Sequence, residues 1–331
     1  MRCEPTGGDV LRTVLHVGPV NTRGGMGAVI RLLDANPPDG WRTETLASHS
    51  DGGLFPALKA WWNVRRKIRT RLERKNVDLV HIHSATRWSW RRKVGLIRIV
   101  KSFGIPIVLS LHSGDFDRHC LERGPEVNRI CSNVHTVVLT KEWQNKLSTW
   151  LGSSSVIPNP VDVVKPTADR DRNQFLLLGR SNPMKGQEIA IDATRELRKQ
   201  GFDITLNLTG VTLNEPGIVG HGWVDGDIKE RLMNHCGTLL SPSKWEGLSM
   251  SVIEAMARGM PVISSDASTG VFEKSGMIVE RDSNSLQSAM VQMIEGDLWE
   301  EMAKCGPDEA EQYSLENVIP LWKKLYDEVI R

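Results

Sequence analysis

Short apolar runs alternate with helical stretches along this chain, and the alternation starts twice. In the first series TVLHVGPV (13–20), VDLVHIHS (77–84), PIVLSLHS (106–113) and HTVVLT (135–140) read as strands. A Gly-rich turn, Arg23-Gly24-Gly25-Met26-Gly27, leads into the apolar helical start Ala28–Leu33, and further helices are expected over 56–75 and around 90–103. Strands spaced by helices join as parallel βαβ units, because a parallel neighbour can be reached only by a crossover. After Pro158-Asn159-Pro160 and the polar stretch KPTADRDRNQ the pattern begins again. FLLLGR (175–180), a helix over 186–200, ITLNLTG (204–210), GTLLSPS (237–243), a helix near 250–258 and PVISS (261–265) form the second series. A chain of 331 residues exceeds the size at which a single core stays efficient. Two α/β domains dividing near 160–172 are expected.

Charge separates the same two halves. Residues 1–165 carry 25 Lys and Arg against 14 Asp and Glu, whereas 166–331 carry 17 against 26. A basic first half is drawn to an anionic surface or acceptor. No run approaches the roughly 18 apolar residues of a membrane span. The N-terminal stretch is interrupted by Glu4 and Asp9 and does not read as a signal peptide. Five scattered cysteines (Cys3, Cys120, Cys131, Cys236, Cys305) without a C-x-x-C argue against a disulfide framework and a zinc site. A cytoplasmic location is expected, with the chain peripheral at the inner membrane face if the basic half meets lipid.

The residues suited to chemistry lie in the second half. Glu246 follows a strand and Pro242, and Glu254 stands eight positions later inside the next helix. Between them Gly247, Leu248, Ser249 and Met250 sit where that helix begins, so unpaired amides and the positive dipole end face outward, a setting suited to a diphosphate. Gly179-Arg180 ends a strand and Lys185-Gly186 opens the following helix. Two cations at such a turn can stabilise charge developing on a leaving diphosphate. Gly220-His221-Gly222-Trp223-Val224 falls in a loop near the same sheet end.

Taken in order, Gly179-Arg180, Lys185-Gly186, Gly222-Trp223-Val224, Ser241-Pro242-Ser243, Glu246-Gly247, Glu254-Ala255-Met256-Ala257, Gly259 and Pro261-Val262 resemble glycosyltransferase family 4 of the GT-B fold. Gly24-Gly25, the strand Val77–His83, the His112 strand and Val156–Asp162 extend the likeness over nearly the whole chain. The resemblance implies two Rossmann-like α/β/α domains facing across a cleft. Residues 1–165 would form an acceptor-binding domain and 166–313 a nucleotide-sugar-binding domain. Residues 314–331, with an apolar stripe at Leu321, Trp322, Leu325, Tyr326 and Val329, would form a helix returning to the N-terminal domain. It also implies roles: Arg180 and Lys185 on the donor diphosphate, Glu246 on the transferred sugar, amides of 247–250 on sugar and phosphate, Glu254 on the ribose, and Trp223 and Val224 by the base. Gly24 and Gly25 would let backbone approach the phosphates, and His112 would face the donor sugar when the cleft closes and excludes water. Transfer would retain the anomeric configuration, with the leaving phosphate helping to deprotonate the acceptor, and would need no metal and no cofactor. Ser249-Met250-Ser251 stands where many members carry a proline.

Several competing patterns are weaker. Asp115-Phe-Asp117 has the spacing of a metal motif but lies in the other half. His81-Ile-His83 has metal-like spacing, yet its sequence neighbours supply no further ligands, so two histidines at a strand end are expected. Asn207-Leu-Thr209 matches a glycosylation sequon inside an expected core strand. Trp61-Trp62 with Arg65–Arg71, and Trp88-Ser-Trp90-Arg91-Arg92-Lys93, mix tryptophan with cations as membrane-surface helices do. Tryptophans facing the core of solvated helices are the alternative. No nucleic-acid motif accompanies the charge. The acceptor expected is a saccharide or lipid-linked saccharide in surface polysaccharide or glycolipid synthesis. An epimerase would need acid and base carboxylates at the sugar, and a scaffold would have no use for the set Arg180, Lys185, Glu246 and Glu254.

Overall fold

The computed structural model describes residues 11–48, 54–164, 169–268 and 270–331, with the side chains of 54–60 left aside. Cys3, Glu4, Asp9 and the expected 165/166 boundary lie outside the described residues. The chain forms two compact units, 1–160 with 316–331 and 161–315.

The first unit runs β1 (Arg12–Gly18), α1 (Gly25–Ala35), β2 (Trp41–Ala47), α2 (Leu54–Glu73), β3 (Leu79–Ser84), α3 (Trp88–Ser102), β4 (Ile107–Leu111), α4 (Phe116–Cys131), β5 (His135–Val138), α5 (Lys141–Leu151) and β6 (Ser154–Val156). Its six strands are parallel in the order β2-β1-β3-β4-β5-β6. β3 and β4 are buried along their whole length, because helices cover both faces of a central parallel strand. The edge strand β2 is half-buried and polar, and no apolar run announces it.

The second unit repeats the plan with β7 (Asp171–Leu177), α6 (Gln187–Lys199), β8 (Thr205–Leu208), β9 (Asn214–Glu215), β10 (Ile218–Gly220), α7 (Gly226–His235), β11 (Cys236–Ser241), α8 (Met250–Ala257), β12 (Val262–Ser264), β13 (Gly276–Ile278), α9 (Ser283–Glu295) and α10 (Leu298–Ala310). The strand order is β13-β12-β11-β7-β8-β10-β9, parallel except for the β9–β10 pair. Phe175, Leu177, Leu206, Leu208, Leu240 and Ile263 pack with α6 and α9 residues into its core.

The last helix, α11 (Leu315–Val329), closes the first unit. Val318, Trp322, Leu325 and Tyr326 are its buried residues. Tyr326 Oη lies 2.7 Å from His81 Nδ1, and Asp327 accepts from Arg12 and from Trp41 Nε1, both at 3.1 Å. Leu321, expected in the stripe, is 41% exposed. At 100° per residue it falls about 80° from the stripe's centre and onto the flank. The four cysteines among the described residues are free. Among those residues no helix is long and apolar enough to cross a membrane.

Candidate active site

In an open parallel sheet, ligands bind beyond the carboxyl ends of the strands where the order reverses. In the second unit that point lies between β7 and β11. The loops leaving those two strands carry Arg180 and Lys185 on one side and Ser243 and Glu246 on the other.

The two loops are held against each other. Gly179 N donates to Thr209 Oγ1 (2.8 Å), and Asn182 Oδ1 accepts from Met184 N (3.0 Å) at a single 3-10 turn over Pro183–Lys185. Gly186 follows at φ +73°, where a Cβ would stand 2.3 Å from Pro242 O, so only glycine lets the loops approach this closely. Lys244 N donates to Met184 O (2.8 Å) across the join. Arg281, just after β13, donates Nε to Pro242 O (2.9 Å) and Nη2 to Pro183 O (3.0 Å), stitching both loops from outside.

This frame places Lys185 Nζ in a hydrogen bond to Glu246 Oε1, and Ser243 Oγ donates to the same oxygen at 2.8 Å. The resemblance assigns Lys185 to the donor diphosphate and Glu246 to the transferred sugar. In the structure they form one ion pair, with side chains 30% and 14% exposed. Arg180, three residues past β7, is exposed. α8 begins beside the pair, and its N-cap Ser249 makes no side-chain capping bond; the hydroxyl lies 3.1 Å from Ser251 Oγ. The first amides of α8 therefore have no side chain capping them. Leu248 and Ser249 are buried.

Glu254, on α8, is paired with Lys229 Nζ of α7 at 2.6 Å. Trp223 is half-buried and Val224 is buried, so Val224 offers no side chain to a base. The loop is set by Gly210 N donating to Gly222 O (2.6 Å) and by His221 Nε2 meeting Asn207 Oδ1 (2.9 Å). Asn207 is buried in β8. Lys229 and Arg281 are absent from the sequence reading, and Ser243 appears there only within the Ser241-Pro242-Ser243 motif, with no role of its own. The first two lie on or beside α7 and β13, elements it did not detect.

In the first unit the order reverses between β1 and β3. The turn after β1 ends at Gly24, φ +126°, which caps α1 with no side-chain bond. His112 follows β4 and donates its backbone N–H to Ser84 O (2.9 Å). Behind it the histidine expectation needs correction. His81 and His83 do not stand alone at a strand end: His16 of β1 pairs in register with His81, His81 and His83 stack, His16 is tilted against His81, and His112 lies beside His83. His16, His81 and His83 are fully buried. Burial pushes His16 down to about 3 and His112 to about 4; it also holds His81 and His83 well below the ordinary imidazole value, helped by their like-charged neighbours. Lys93 of α3 is buried too, donates to Ser48 Oγ (2.5 Å), and falls to about 7 through burial and then the adjacent Arg92.

Nitrogens of His16, His81 and His83 come within 4.8 Å of one another, close enough to suggest a metal. The rings do not converge. His81 and His83 stack at 4.0 Å and 28°, and His81 spends both nitrogens on Tyr326 Oη (2.7 Å) and Ser110 Oγ (2.8 Å). A metal needs lone pairs aimed at one point. Asp115 and Asp117 are also occupied: Asp115 accepts from Ser113 (2.5 Å) and Thr86 (3.0 Å), and Asp117 pairs with Lys146 (2.8 Å).

The tryptophan-rich segments divide their tryptophans. Trp90 is buried, and Trp61 packs on the core with its ring 3.0 Å from where a Cβ on Gly95 would be, joining α2 to α3. Trp62 and Trp88 are 68% and 70% exposed, with the Arg65 and Arg91 guanidinium groups 5.7 and 5.1 Å from their ring centres.

Comparison with known proteins covers both units. The family model described as Glycosyltransferase Family 4 matches residues 34–165, and that described as Glycosyl transferases group 1 matches 172–296. An uncharacterised glycosyltransferase of Methanocaldococcus jannaschii is 24% identical over 78% of this chain and 77% of its own length. The phosphatidyl-myo-inositol mannosyltransferase of Mycobacterium leprae is 26% identical over 80% and 77%. Among solved structures, sucrose-phosphate synthase from Thermosynechococcus elongatus superposes with a TM-score of 0.77 at 17% identity, covering 96% of this chain and 98% of that one.

Proposed function

The chain belongs to glycosyltransferase family 4 and is a nucleotide-sugar-dependent glycosyltransferase of the GT-B fold, and from that premise we propose how its residues share the transfer. The observation that carries the reading is the meeting of the two switch-point loops, which sets Lys185 and Glu246 together beside the uncapped start of α8. Arg180, Lys185 and the α8 amides neutralise the donor diphosphate. As the diphosphate takes Lys185 Nζ, Glu246 is released to accept hydrogen bonds from hydroxyls of the transferred sugar. Glu254 exchanges Lys229 for the ribose hydroxyls. Backbone of 247–250 serves sugar and phosphate, and Trp223 serves the base. From the first unit, His112 and the Gly24-Gly25 turn serve the donor.

The sugar–phosphate bond breaks as the acceptor oxygen bonds to the same carbon from the same face. The acceptor proton passes to the leaving phosphate oxygen, so configuration is retained and no separate base is consumed. The cations and helix dipole do the neutralising that a metal performs elsewhere.

We read the acceptor as a saccharide or lipid-linked saccharide of a cell-surface polysaccharide or glycolipid. The name of the mycobacterial relative and the exposed Trp62 and Trp88, each under an arginine, support this. Those residues suit an anionic membrane surface.

Thermal-shift screening with UDP-, GDP-, ADP- and dTDP-sugars, without metal, tests the donor site. A donor at 100 times its Kd stabilises the folded state by about 2.7 kcal/mol. The expected result is a shift with one nucleotide that Lys185→Ala abolishes. A shift of equal size in the variant would refute the assignment.

A further inference from the structure

Beneath His112 the imidazoles form a hydrogen-bonded line. His112 Nε2 lies 3.0 Å from His83 Nδ1, and His83 Nε2 lies 3.1 Å from His16 Nδ1. β1, β3 and β4 are neighbours in one sheet, so the line crosses three strands and is fixed by their register.

Proton counting restricts what this line can be. Each of the two bonds holds one proton, and each neutral imidazole carries one. Only two arrangements satisfy both conditions: all three rings protonated on Nδ1, or all three on Nε2. Any mixture leaves His83 with two protons or with none. Burial disfavours a charged His83, and so does the nearby Lys93.

The two arrangements differ at the buried end. With Nε2–H throughout, His16 needs an acceptor for that proton, whereas among the described residues its hydrogen bond is the one through Nδ1. With Nδ1–H throughout, the unpaired N–H lies instead on His112, which is part-exposed, and the 1% exposed His16 keeps a bare lone pair, so the donor without a partner sits at the wetter end. We propose that His83 and His16 are positioning residues that lock His112 in its Nδ1–H tautomer, so that its outer nitrogen donates a hydrogen bond to an oxygen of the sugar donor. This rests on the reading that His112 serves the donor. The partner of a ring's other nitrogen is what selects its tautomer. Here two buried rings act as that partner in series.

Long-range proton–nitrogen NMR on the full chain labelled with 15N-histidine reads the tautomers directly. The expected spectrum places the proton of His16, His83 and His112 on Nδ1. A proton on Nε2 of any of the three overturns the proposal. His83→Phe cuts the line, and should leave His112 as a tautomer mixture with kcat down about 10-fold and donor KM within about 2-fold. His83→Gln can donate to His112 and accept from His16, and should hold kcat within about 3-fold of wild type. Equal kcat for the Phe and Gln variants would count against the relay. The wild-type spectrum decides the point even if a variant fails to fold. His112→Ala separates the two readings: full activity there, with the single tautomer intact in wild type, removes His112 from the reaction and leaves the relay standing.

Discussion

The two units share a plan but treat their ionisable groups in opposite ways. The first hides His16, His81, His83 and Lys93 inside the sheet and its helix layer, where burial keeps the histidines uncharged and pulls Lys93 down to about 7. The second keeps the ion pairs of its candidate site, Lys185–Glu246 and Lys229–Glu254, on loops and helices where they are partly wet. Buried neutral groups fix geometry and resist charging. Partly wet ion pairs cost less to open than fully buried ones, so an anion can take the lysine and free the carboxylate. Positioning therefore concentrates in the first unit and ionic exchange in the second.

The sharpest way to break this contrast is at the second unit. Lys185→Ala and Glu246→Ala should each lower sugar transfer about 100-fold or more, while urea unfolding shifts by no more than about 1 kcal/mol. A variant that unfolds would mean that the pair holds the loops together rather than the donor.

A smaller effect belongs to the first unit and to acid. The folded values of His16 (about 3) and His112 (about 4) lie below the ordinary 6.5. As pH falls through 6.5 the unfolded chain takes up protons that the fold refuses. Stability is then lost at on the order of 1.4 kcal/mol per pH unit for each such histidine, down towards the folded values. The groups facing them are one another, Lys93, Tyr326 and Ser110. Lys93 adds the same sign at higher pH, favouring the fold as pH rises from about 7 to 10.5. Hydrogen exchange corrected for chemical rate should show β3 and β4 losing protection between pH 7 and 5 before β8 and β11 do. Equal loss in both units would erase the distinction.

The smallest expected change is at the surface. Trp62→Ala with Trp88→Ala should alter stability by only about 0.5 kcal/mol, yet lower sedimentation with vesicles rich in anionic lipid. Unchanged sedimentation would detach these residues from the membrane reading.

What could be read in advance follows the same divide. The residues from Glu246 to Glu254 fall in one continuous stretch over a loop and a helix start, so spacing alone suggested an anion site. The histidine line is made of residues 16, 83 and 112, each seen in an expected strand, but linear sequence carries no strand register. His81-Ile-His83 consequently looked isolated. β2 (WRTETLA) escaped notice because an edge strand needs no continuous apolar run, and α7 and β13 escaped with it, taking Lys229 and the approach to Arg281. The paired tryptophans showed an amphipathic helix without showing which ring faced in. Only packing separates Trp61 from Trp62 and Trp90 from Trp88.

The return of α11 to the first unit sets an order of events during synthesis. About 155 residues of the second unit separate Pro160 from the helix that supplies Tyr326 to His81. At roughly 5–20 residues per second the ribosome takes about 8–30 s to cross that interval. The second unit, continuous in the chain, can finish folding first. The first unit meanwhile waits with β1 and β3 uncovered on the side that Trp322 and Tyr326 later seal. The half made first is thus the half completed last.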